Sequence, residues 1–312
     1  MEYRTLGSTG LEVSAIGLGT WVMGGRWWGK ANDDDSLATI RKALDLGINF
    51  FDTADVYGLG ISEEILAKGL QNKRKDVFIA TKVGLRWNNK GKITNDLSRA
   101  YILKAVDASL QRLQTDYIDL YQAHWPDPAT PVTETVSALQ ECVAAGKVRY
   151  LGASNLSPEQ LQEYRTHGAI ETLQPPLNLF ERHAEVQLLP ICFKENVGVL
   201  SYGSLCRGLL TGKFKPGHVF HEPVRKSDSL FQGQTFKKNL AIVEQLQEIA
   251  SECGKKVGQL AIAWVLAHSA ITIALCGARV PAQIEENAGA ADWSLSEDVL
   301  KRIETILAVT SC

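Results

Sequence analysis

The sequence alternates between short apolar runs rich in β-forming residues and longer stretches in which apolar residues recur with helical spacing. This pattern repeats eight times over about 250 residues, which is typical of a closed parallel (β/α)8 barrel of the TIM type. The predicted strands cover residues 15–18, 48–51, 77–81, 117–121, 148–153, 170–173, 198–201 and 271–275. We therefore predict a single barrel domain over residues 1–312.

A doubly wound parallel sheet is the alternative architecture for the same alternation. Such sheets bind dinucleotides through a G-x-G-x-x-G turn after the first strand. Here Gly17 and Gly19 begin that motif, but Val22 stands where its third glycine belongs. The barrel is therefore the better prediction.

Two segments do not fit the simple repeat, and a third could be taken for a membrane span. Residues 3–14 place a turn-forming GSTG sequence between β-like stretches and predict a hairpin ahead of the barrel. Residues 203–234 are rich in glycine, proline and charge and too long for a plain connection, so we predict a lid after the seventh strand. Polar residues interrupt the apolar tract 259–278, which predicts a helix, a turn and a strand, not a membrane span.

Composition restricts the partners of this chain. Lys and Arg number 33 against 35 Asp and Glu, without a basic run, so we expect a small-molecule ligand and no nucleic acid. The six cysteines, from Cys142 to Cys312, form no C-x-x-C pair, which argues against a zinc ribbon or a disulfide framework. No secretory signal pattern opens the sequence, and we expect a cytoplasmic protein without a membrane partner.

Polar or aromatic residues follow every predicted strand. The carboxyl ends of barrel strands meet around one pocket, so these residues are expected to form a ring. Each has an ordinary structural explanation when taken alone, such as a turn cap or a surface ion pair. The ring consists of Gly19, Thr20 and Trp21, then Asp52, Lys82, His124 and Trp125, then Ser154, Asn155, Gln174, Tyr202, Gly277, Ala278 and Arg279.

Asp52, Tyr57, Lys82 and His124 together suit proton transfer to a carbonyl oxygen. A tyrosine titrates near ~10, which is too high for efficient proton donation and return at neutral pH. We expect the Lys82 ammonium to lower the pKa of the Tyr57 phenol, and Asp52 to hold that lysine charged and in place. His124 can orient the carbonyl oxygen.

No side chain in this ring can deliver a hydride, so the predicted reaction needs a cofactor. Ser154, Asn155 and Gln174 offer the donors and acceptors that would hold a carboxamide, and Tyr202 offers a flat face. These residues favour a nicotinamide. The alternative is that Ser154 and Asn155 form only a turn and a helix cap.

Several motifs resemble those of the aldo-keto reductase superfamily over essentially the whole chain. They are Gly17–Trp21, FFDTADVYGLGISEEILAKGL at 50–70, Ala80-Thr81-Lys82, Gln122-Ala123-His124-Trp125, GKVRYLGASN at 146–155, LQPPLNLF at 173–180 and SYGSLCRGLLTGK at 201–213. The resemblance implies a metal-independent reductase with Tyr57 as general acid, Lys82 and Asp52 as its tuning pair, and His124 at the carbonyl.

The same resemblance implies a set of cofactor contacts. It places the nicotinamide on Ser154, Asn155 and Gln174, with Tyr202 stacked on the ring. Further contacts are implied at Gly19, Thr20, Trp21, Asp52, Ser204, Leu205, Arg207 and Gly277.

The segment GARVPAQIEEN at 277–287 resembles the branch of bacterial general-stress and potassium-channel-associated reductases. In the family the positions of Arg279 and Gln283 hold the adenosine 2′-phosphate, and those of Glu286 and Asn287 hold the adenine. An arginine can pair with a phosphate in bidentate fashion. We therefore expect NADPH (NADP+) as cofactor in preference to NADH.

Tryptophans are concentrated in the predicted strand-to-helix loops, at Trp21, Trp27, Trp28, Trp87 and Trp125. They suit a water-excluding pocket for apolar or planar aldehydes, although some of them would serve equally well to pack the lid. The predicted substrate pocket consists of Trp21, Tyr57, Trp87, His124 and Trp125.

Two other functions remain open at this stage. One is an NADPH-binding redox-sensor subunit with slow turnover. The other is an aldolase in which Lys82 forms a Schiff base, which the adjacent Asp52 disfavours because it stabilises the ammonium. The sequence predicts neither a monomer nor a homo-oligomer.

Overall fold

The computed structural model describes residues 1–309, and Cys312 lies outside them. Its strands are β1 (Tyr3–Thr5), β2 (Glu12–Ser14), β3 (Ile16–Gly19), β4 (Phe50–Asp52), β5 (Phe78–Val83), β6 (Leu85–Trp87), β7 (Ile93–Asn95), β8 (Ile118–Ala123), β9 (Val148–Ser154), β10 (Thr172–Gln174), β11 (Gly198–Ser201) and β12 (Ile271–Gly277). Every strand predicted from the apolar runs overlaps one of these.

The parallel strands form a closed barrel in the order β3-β4-β5-β8-β9-β10-β11-β12, and β12 pairs with β3 to complete the ring. Strands that follow one another in the barrel are therefore neighbours in space. This confirms the predicted (β/α)8 barrel, because a doubly wound sheet would have two open edges.

Helices surround this barrel. They are α1 (Asp33–Asp45), α2 (Ile61–Leu70), α3 (Arg99–Leu113), α4 (Val132–Ala144), α5 (Pro158–His167), α6 (His183–Gln187), α7 (Leu189–Lys194), α8 (Pro223–Lys226), α9 (Gly233–Glu252), α10 (Val257–Leu266), α11 (Pro281–Ala288) and α12 (Glu297–Val309). Ser157 caps α5 in a capping box with Gln160, as the Ser-Pro-Glu sequence suggests. Residues 183–194 form two helices, α6 and α7, because Pro190 has no N–H with which to continue α6.

The N-terminal hairpin is present as predicted. Strands β1 and β2 pair in antiparallel fashion, with Tyr3 opposite Ser14. Leu6 and Val13 of the hairpin pack with Phe50, Leu120 and Ile273 in a cluster separate from the larger core under the helices. The hairpin therefore closes the end of the barrel opposite the carboxyl ends of its strands.

The stretch 203–234 contains short helical turns and α8, without a strand. Its aromatic side chains pack on one another, with Phe214 and Phe220 at a centroid distance of 5.0 Å. It touches the loop after β3, where the Val224 N–H lies 3.4 Å from the Trp27 carbonyl. The predicted lid therefore lies over the carboxyl end of the barrel.

The apolar tract 259–278 forms most of α10 and all of β12, as expected. Within residues 1–309, no helix combines the length and the apolar character needed to cross a membrane. A second antiparallel hairpin, β6–β7, follows β5 and carries Trp87. The strand pattern of the sequence did not predict it.

Candidate active site

Lys82 is the centre of the polar cluster at the carboxyl end of the barrel. Its fully buried ammonium donates to Asp52 Oδ1 at 2.7 Å, to the Thr53 carbonyl at 2.8 Å and to Tyr57 Oη at 3.3 Å. Asp52 ends β4 and Lys82 lies near the end of the neighbouring β5, so adjacent strands place the pair. Three oxygens around Nζ stabilise the ammonium and disfavour a Schiff-base role for this lysine.

The loop that carries Tyr57 is held by a contact between two glycine backbones. Gly58 has a left-handed φ of 62°, and a Cβ placed on it would lie 2.6 Å from the Gly24 carbonyl oxygen. A Cβ on Gly24 would likewise lie 2.5 Å from Gly58 N. Only glycine fits this approach, which brings Trp21 onto Tyr57 with ring centroids 6.0 Å apart.

Burial and two carboxylates control the ionisation of Tyr57. Burial, together with the charges of Asp52 and Asp55, raises the pKa of the Tyr57 phenol well above 10. The expected lowering of this pKa by the Lys82 cation is therefore wrong. Burial also lowers the pKa of Lys82, although Asp52 acts in the opposite direction. Tyr57 consequently keeps its proton at neutral pH, in the form that can donate it.

His124 lies beside Tyr57, with ring centroids 5.7 Å apart at an interplanar angle of 78°. Burial and the Lys82 charge lower the pKa of His124 well below 6.5. Its buried Nδ1 has no hydrogen-bond partner among the described residues. His124 is therefore neutral at physiological pH and suited to hydrogen bonding with an uncharged oxygen.

The residues predicted for a carboxamide form one network. Ser154 Oγ donates to the Gln174 carbonyl at 2.8 Å, and Asn155 Nδ2 donates to the His124 carbonyl at 3.0 Å. Tyr202 Oη donates to Asn155 Oδ1 at 2.8 Å. Asn155 has a left-handed φ of 60°, a conformation that asparagine tolerates better than most residues.

Two glutamines join this network to Asp52, and through it to Lys82 and Tyr57. Gln174 Nε2 donates to Asp52 Oδ2 at 2.8 Å and lies 3.5 Å from Gln122 Oε1. Gln122 is fully buried, and its Nε2 has no partner within the described residues. We did not predict a role for Gln122: the fourth predicted strand ended at residue 121 and only His124 and Trp125 were assigned after it, whereas the structure places Gln122 inside β8.

The loop after β3 completes the site at the carboxyl end of the barrel. Gly19 is in register with Asp52 on one side and with Gly277 on the other. Thr20 Oγ1 donates to the Asp52 carbonyl at 3.0 Å, and its backbone N–H also donates to that oxygen. The structure thus brings the predicted Gly19, Thr20 and Gly277 to the edge of the same site.

Two arginines predicted to contact the cofactor are engaged with protein groups. Arg207 forms ion pairs with Glu181 at 3.1 Å and with Asp228 at 2.5 Å. The Arg279 guanidinium donates to the Trp28 carbonyl, and its backbone N–H donates to Gln283 Oε1 at 2.8 Å.

Three cations converge between the lid and the segment after β12. Burial lowers the pKa of Lys213, and the neighbouring Arg225 and Arg279 charges lower it further. Burial and the Arg225 charge likewise lower the pKa of Arg279. Glu222 pairs with Arg225 at 2.7 Å. Like charges disfavour one another, so an anion bound here would be stabilised. Lys213 and Arg225 lie in the lid, and we did not predict them as part of the site.

A dinucleotide fits the groups in this part of the structure. The buried Ser204 Oγ and Asn287 Nδ2 have no hydrogen-bond partner among the described residues, and each is a predicted cofactor contact. Leu205 lies between Ser204 and the turn that begins at Cys206. Glu286, the other predicted adenine contact, is paired with Lys256 at 2.6 Å.

The aldo/keto reductase family model matches residues 15–308. The chain belongs to the aldo/keto reductase family. Family members are oxidoreductases that use nicotinamide cofactors and act on small carbonyl compounds.

Similar aldo/keto reductases include Aldo-keto reductase YhdN of Bacillus subtilis, 46% identical over 99% of this chain and 95% of its own length. The NADH-specific methylglyoxal reductase of Escherichia coli is 36% identical, with 95% of each chain covered. A probable voltage-gated potassium channel subunit beta of Arabidopsis thaliana is 34% identical over 98% and 97%. The structure of a glycerol dehydrogenase from Gluconobacter oxydans superposes with a TM-score of 0.92, at 43% identity over 99% and 95%.

The tryptophans of this aldo/keto reductase divide into separate groups. Trp21 contacts both Trp28 and Tyr57, with Trp28 at a centroid distance of 5.2 Å. Trp87 instead lines a second cavity, which lies between α3 and the β6–β7 hairpin. Trp125 is 44% exposed. Within the described residues, no aromatic ring contact joins either of them to Tyr57, so the predicted pocket wall is not continuous in this structure.

Proposed function

We propose that this protein is an NADPH-dependent reductase that converts aldehydes and ketones to alcohols, with Tyr57 as the general acid. The observation that supports this most directly is the buried Lys82 ammonium bonded to both Asp52 and Tyr57. Tyr57 is the proton donor in this arrangement, and the Lys82 ammonium can stabilise the phenolate that forms. Asp52 holds that ammonium in place.

The side chains have distinct roles in this proposal. His124, neutral, donates a hydrogen bond to the carbonyl oxygen and aligns it with the Tyr57 hydroxyl. A nicotinamide cofactor, when bound, would supply the hydride for the carbonyl carbon. Tyr57 gives its proton to the oxygen, and the Lys82 ammonium stabilises the phenolate that remains. Trp21 covers the ring of Tyr57 and keeps bulk water away from it.

A substrate panel tests the proposed reaction. The purified protein is mixed with NADPH and either methylglyoxal or benzaldehyde, and the loss of NADPH absorbance is followed; glycerol with NADP+ tests the reverse direction. We expect saturable reduction of at least one aldehyde. If no carbonyl compound in a broad panel is reduced with either NADPH or NADH, the proposal is wrong.

Arg279→Ala tests the proposed preference for NADPH. If the guanidinium pairs with the 2′-phosphate, its loss should raise the KM for NADPH by about 10- to 100-fold, the range for a charge-assisted hydrogen bond of about 1.5–3 kcal/mol. The KM for NADH, which lacks that phosphate, serves as the internal control and should change little. An equal rise in both constants would show instead that Arg279 only holds the Trp28 loop.

The direction of the two pKa shifts predicts the pH dependence. Tyr57 is protonated below its raised pKa and His124 is neutral above its lowered pKa, so reduction should be nearly constant between about pH 6 and pH 9. Alcohol oxidation needs the phenolate as base, so its rate should rise with pH over the same range. Rate profiles in both directions check this, and an inflection near neutrality in reduction would contradict it.

A redox sensor with slow turnover is the second candidate. The contacts between the lid and the loop after β3 favour it, because Val224 bonds to Trp27 and the Arg225 guanidinium lies 5.1 Å above the Trp28 ring. These contacts oppose release of a cofactor bound beneath them. A sensor is favoured if the rate constant for cofactor dissociation is below about 1 s⁻¹ and equals kcat. A much faster turnover favours the reductase.

A further inference from the structure

Gln122 is a fully buried amide side chain at the level of Lys82 in the barrel. It lies near the end of β8, in register with Lys82 of β5 on one side and with Gly152 of β9 on the other. Gly152 has no side chain, and a Cβ placed on it would lie 3.0 Å from Gln122 Cγ. Glycine at this position therefore leaves the space through which Gln122 reaches across β9 to Gln174 of β10.

Asp52 determines which end of the Gln174 amide faces inward. A carboxylate can only accept hydrogen bonds, so the NH2 group of Gln174 has to face Asp52, and Nε2 donates to Oδ2 at 2.8 Å. The same NH2 group makes a longer contact of 3.5 Å with Gln122 Oε1. Among the described residues, both hydrogen bonds of the Gln174 side chain are thus made by Nε2, which leaves its Oε1 to accept from a ligand.

The second contact matters because one hydrogen bond does not fix the plane of a glutamine amide. The terminal torsion angle of glutamine has broad minima, so Asp52 alone would let the amide of Gln174 turn about their hydrogen bond. Asp52 and Gln122 belong to different strands, β4 and β8, and their oxygens approach Nε2 from two directions. Together they fix the direction in which Gln174 Oε1 points.

Packing alone does not explain the amide of Gln122. Its Nε2 has no hydrogen-bond partner among the described residues, and a buried donor without a partner costs free energy of folding. Methionine would fill nearly the same volume without that cost. Stability therefore favours an apolar residue here, whereas the contact of Oε1 with Gln174 requires the amide.

We propose that Gln122 is a positioning residue for the nicotinamide carboxamide: it holds Gln174 so that Oε1 accepts a hydrogen bond from the carboxamide NH2 group. This rests on the proposed function, which places the carboxamide on Ser154, Asn155 and Gln174. Gln122 acts only through Gln174 and does not touch the cofactor. The ligand chemistry that it selects is a primary amide, because a fixed carbonyl oxygen needs an N–H donor opposite it.

A cofactor analogue tests this role by binding alone. NADP+ carries the carboxamide NH2 group, whereas a methyl group replaces it in the 3-acetylpyridine analogue of NADP+. Quenching of tryptophan fluorescence gives the Kd of each ligand. We expect the wild type to bind NADP+ more tightly, and Gln122→Met to reduce this preference by about 3- to 10-fold, the range for one neutral hydrogen bond. Its midpoint of urea unfolding should equal or exceed that of the wild type.

Two further variants separate positioning from a general effect on the barrel. In Gln174→Met the preference for NADP+ should already be reduced, and adding Gln122→Met should reduce it no further, because Gln122 acts through Gln174. The matched control is Thr172→Val. Thr172 is also fully buried, its hydroxyl has no partner among the described residues, and it lies against Gly152. Its replacement should leave the preference unchanged.

An unchanged preference for NADP+ in Gln122→Met would overturn the proposal, as would a wild type that binds the two ligands equally well. Equal weakening of both ligands, or a lower unfolding midpoint, would show that Gln122 has a structural role instead. Binding of NADP+ and aldehyde reduction by the wild type test the proposed function separately, so failure of the positioning role leaves that function intact. A wild type that binds neither ligand would refute both.

Discussion

Replacement of Tyr57 by phenylalanine is expected to lower kcat for aldehyde reduction by about 10²- to 10⁴-fold, the usual contribution of a positioned general acid. The change removes one hydroxyl and keeps the ring that stacks on Trp21. Lys82 retains its bonds to Asp52 and Thr53, so the rest of the site should persist. Steady-state kinetics with NADPH give kcat, and quenching of tryptophan fluorescence gives the cofactor Kd, which should stay close to that of the wild type.

Tyr150→Phe is the matched control for this experiment. The Tyr150 hydroxyl donates to the Thr9 carbonyl at 2.9 Å, near the hairpin at the opposite end of the barrel. Its loss removes the same atom but should leave kcat unchanged. If Tyr57→Phe reduces aldehydes as fast as the wild type, another group supplies the proton and the assignment of Tyr57 is wrong.

The position of the proposed site was predictable because a closed barrel has a simple rule. Strands that follow one another pair with one another, so residues after each apolar run meet at one end. Asp52 and Lys82 are 30 positions apart in the sequence, yet neighbouring strands bring them to 2.7 Å. The alternation of strands and helices was sufficient to place this pair without any knowledge of the loops.

The ionisation of Tyr57 was not predictable in the same way. We considered one cation and one carboxylate near the phenol, whereas the structure adds burial and the second carboxylate of Asp55. Asp55 was visible in the FFDTADVYG motif, but its orientation depends on the loop conformation that follows β4. Pairwise chemistry read from a sequence therefore gave the groups involved and the wrong direction of the pKa shift.

The strand pattern also did not predict which loop residues lie around the proposed site. Trp87 was placed near the catalytic group because it follows the third predicted strand, but the β6–β7 hairpin directs it to the second cavity. Arg225 belongs to a short helix in a lid whose sequence has no strong periodicity. Long connections have many possible conformations, and their contacts depend on packing between segments distant in sequence.

Lys82→Met is expected to reduce the free energy of unfolding by about 3–5 kcal/mol, the usual effect of removing one partner from a buried ion pair. Asp52 would remain buried with its Oδ2 bound by Gln174, while the charge-assisted bond at Oδ1 would be lost. Methionine fills much of the volume of the lysine chain, so the loss would arise mainly from the unpaired carboxylate. Urea unfolding followed by tryptophan fluorescence measures this difference.

A double-mutant cycle with Asp52→Asn separates the charge effect from packing. The double variant has neither charge, so its loss of stability should be smaller than the sum of the two single losses by at least about 1 kcal/mol. Additive losses would mean that Lys82 is required for volume and not for pairing. The expected coupling has a catalytic consequence: the barrel can hold an ammonium against the Tyr57 hydroxyl only because Asp52 compensates that charge within the same buried layer.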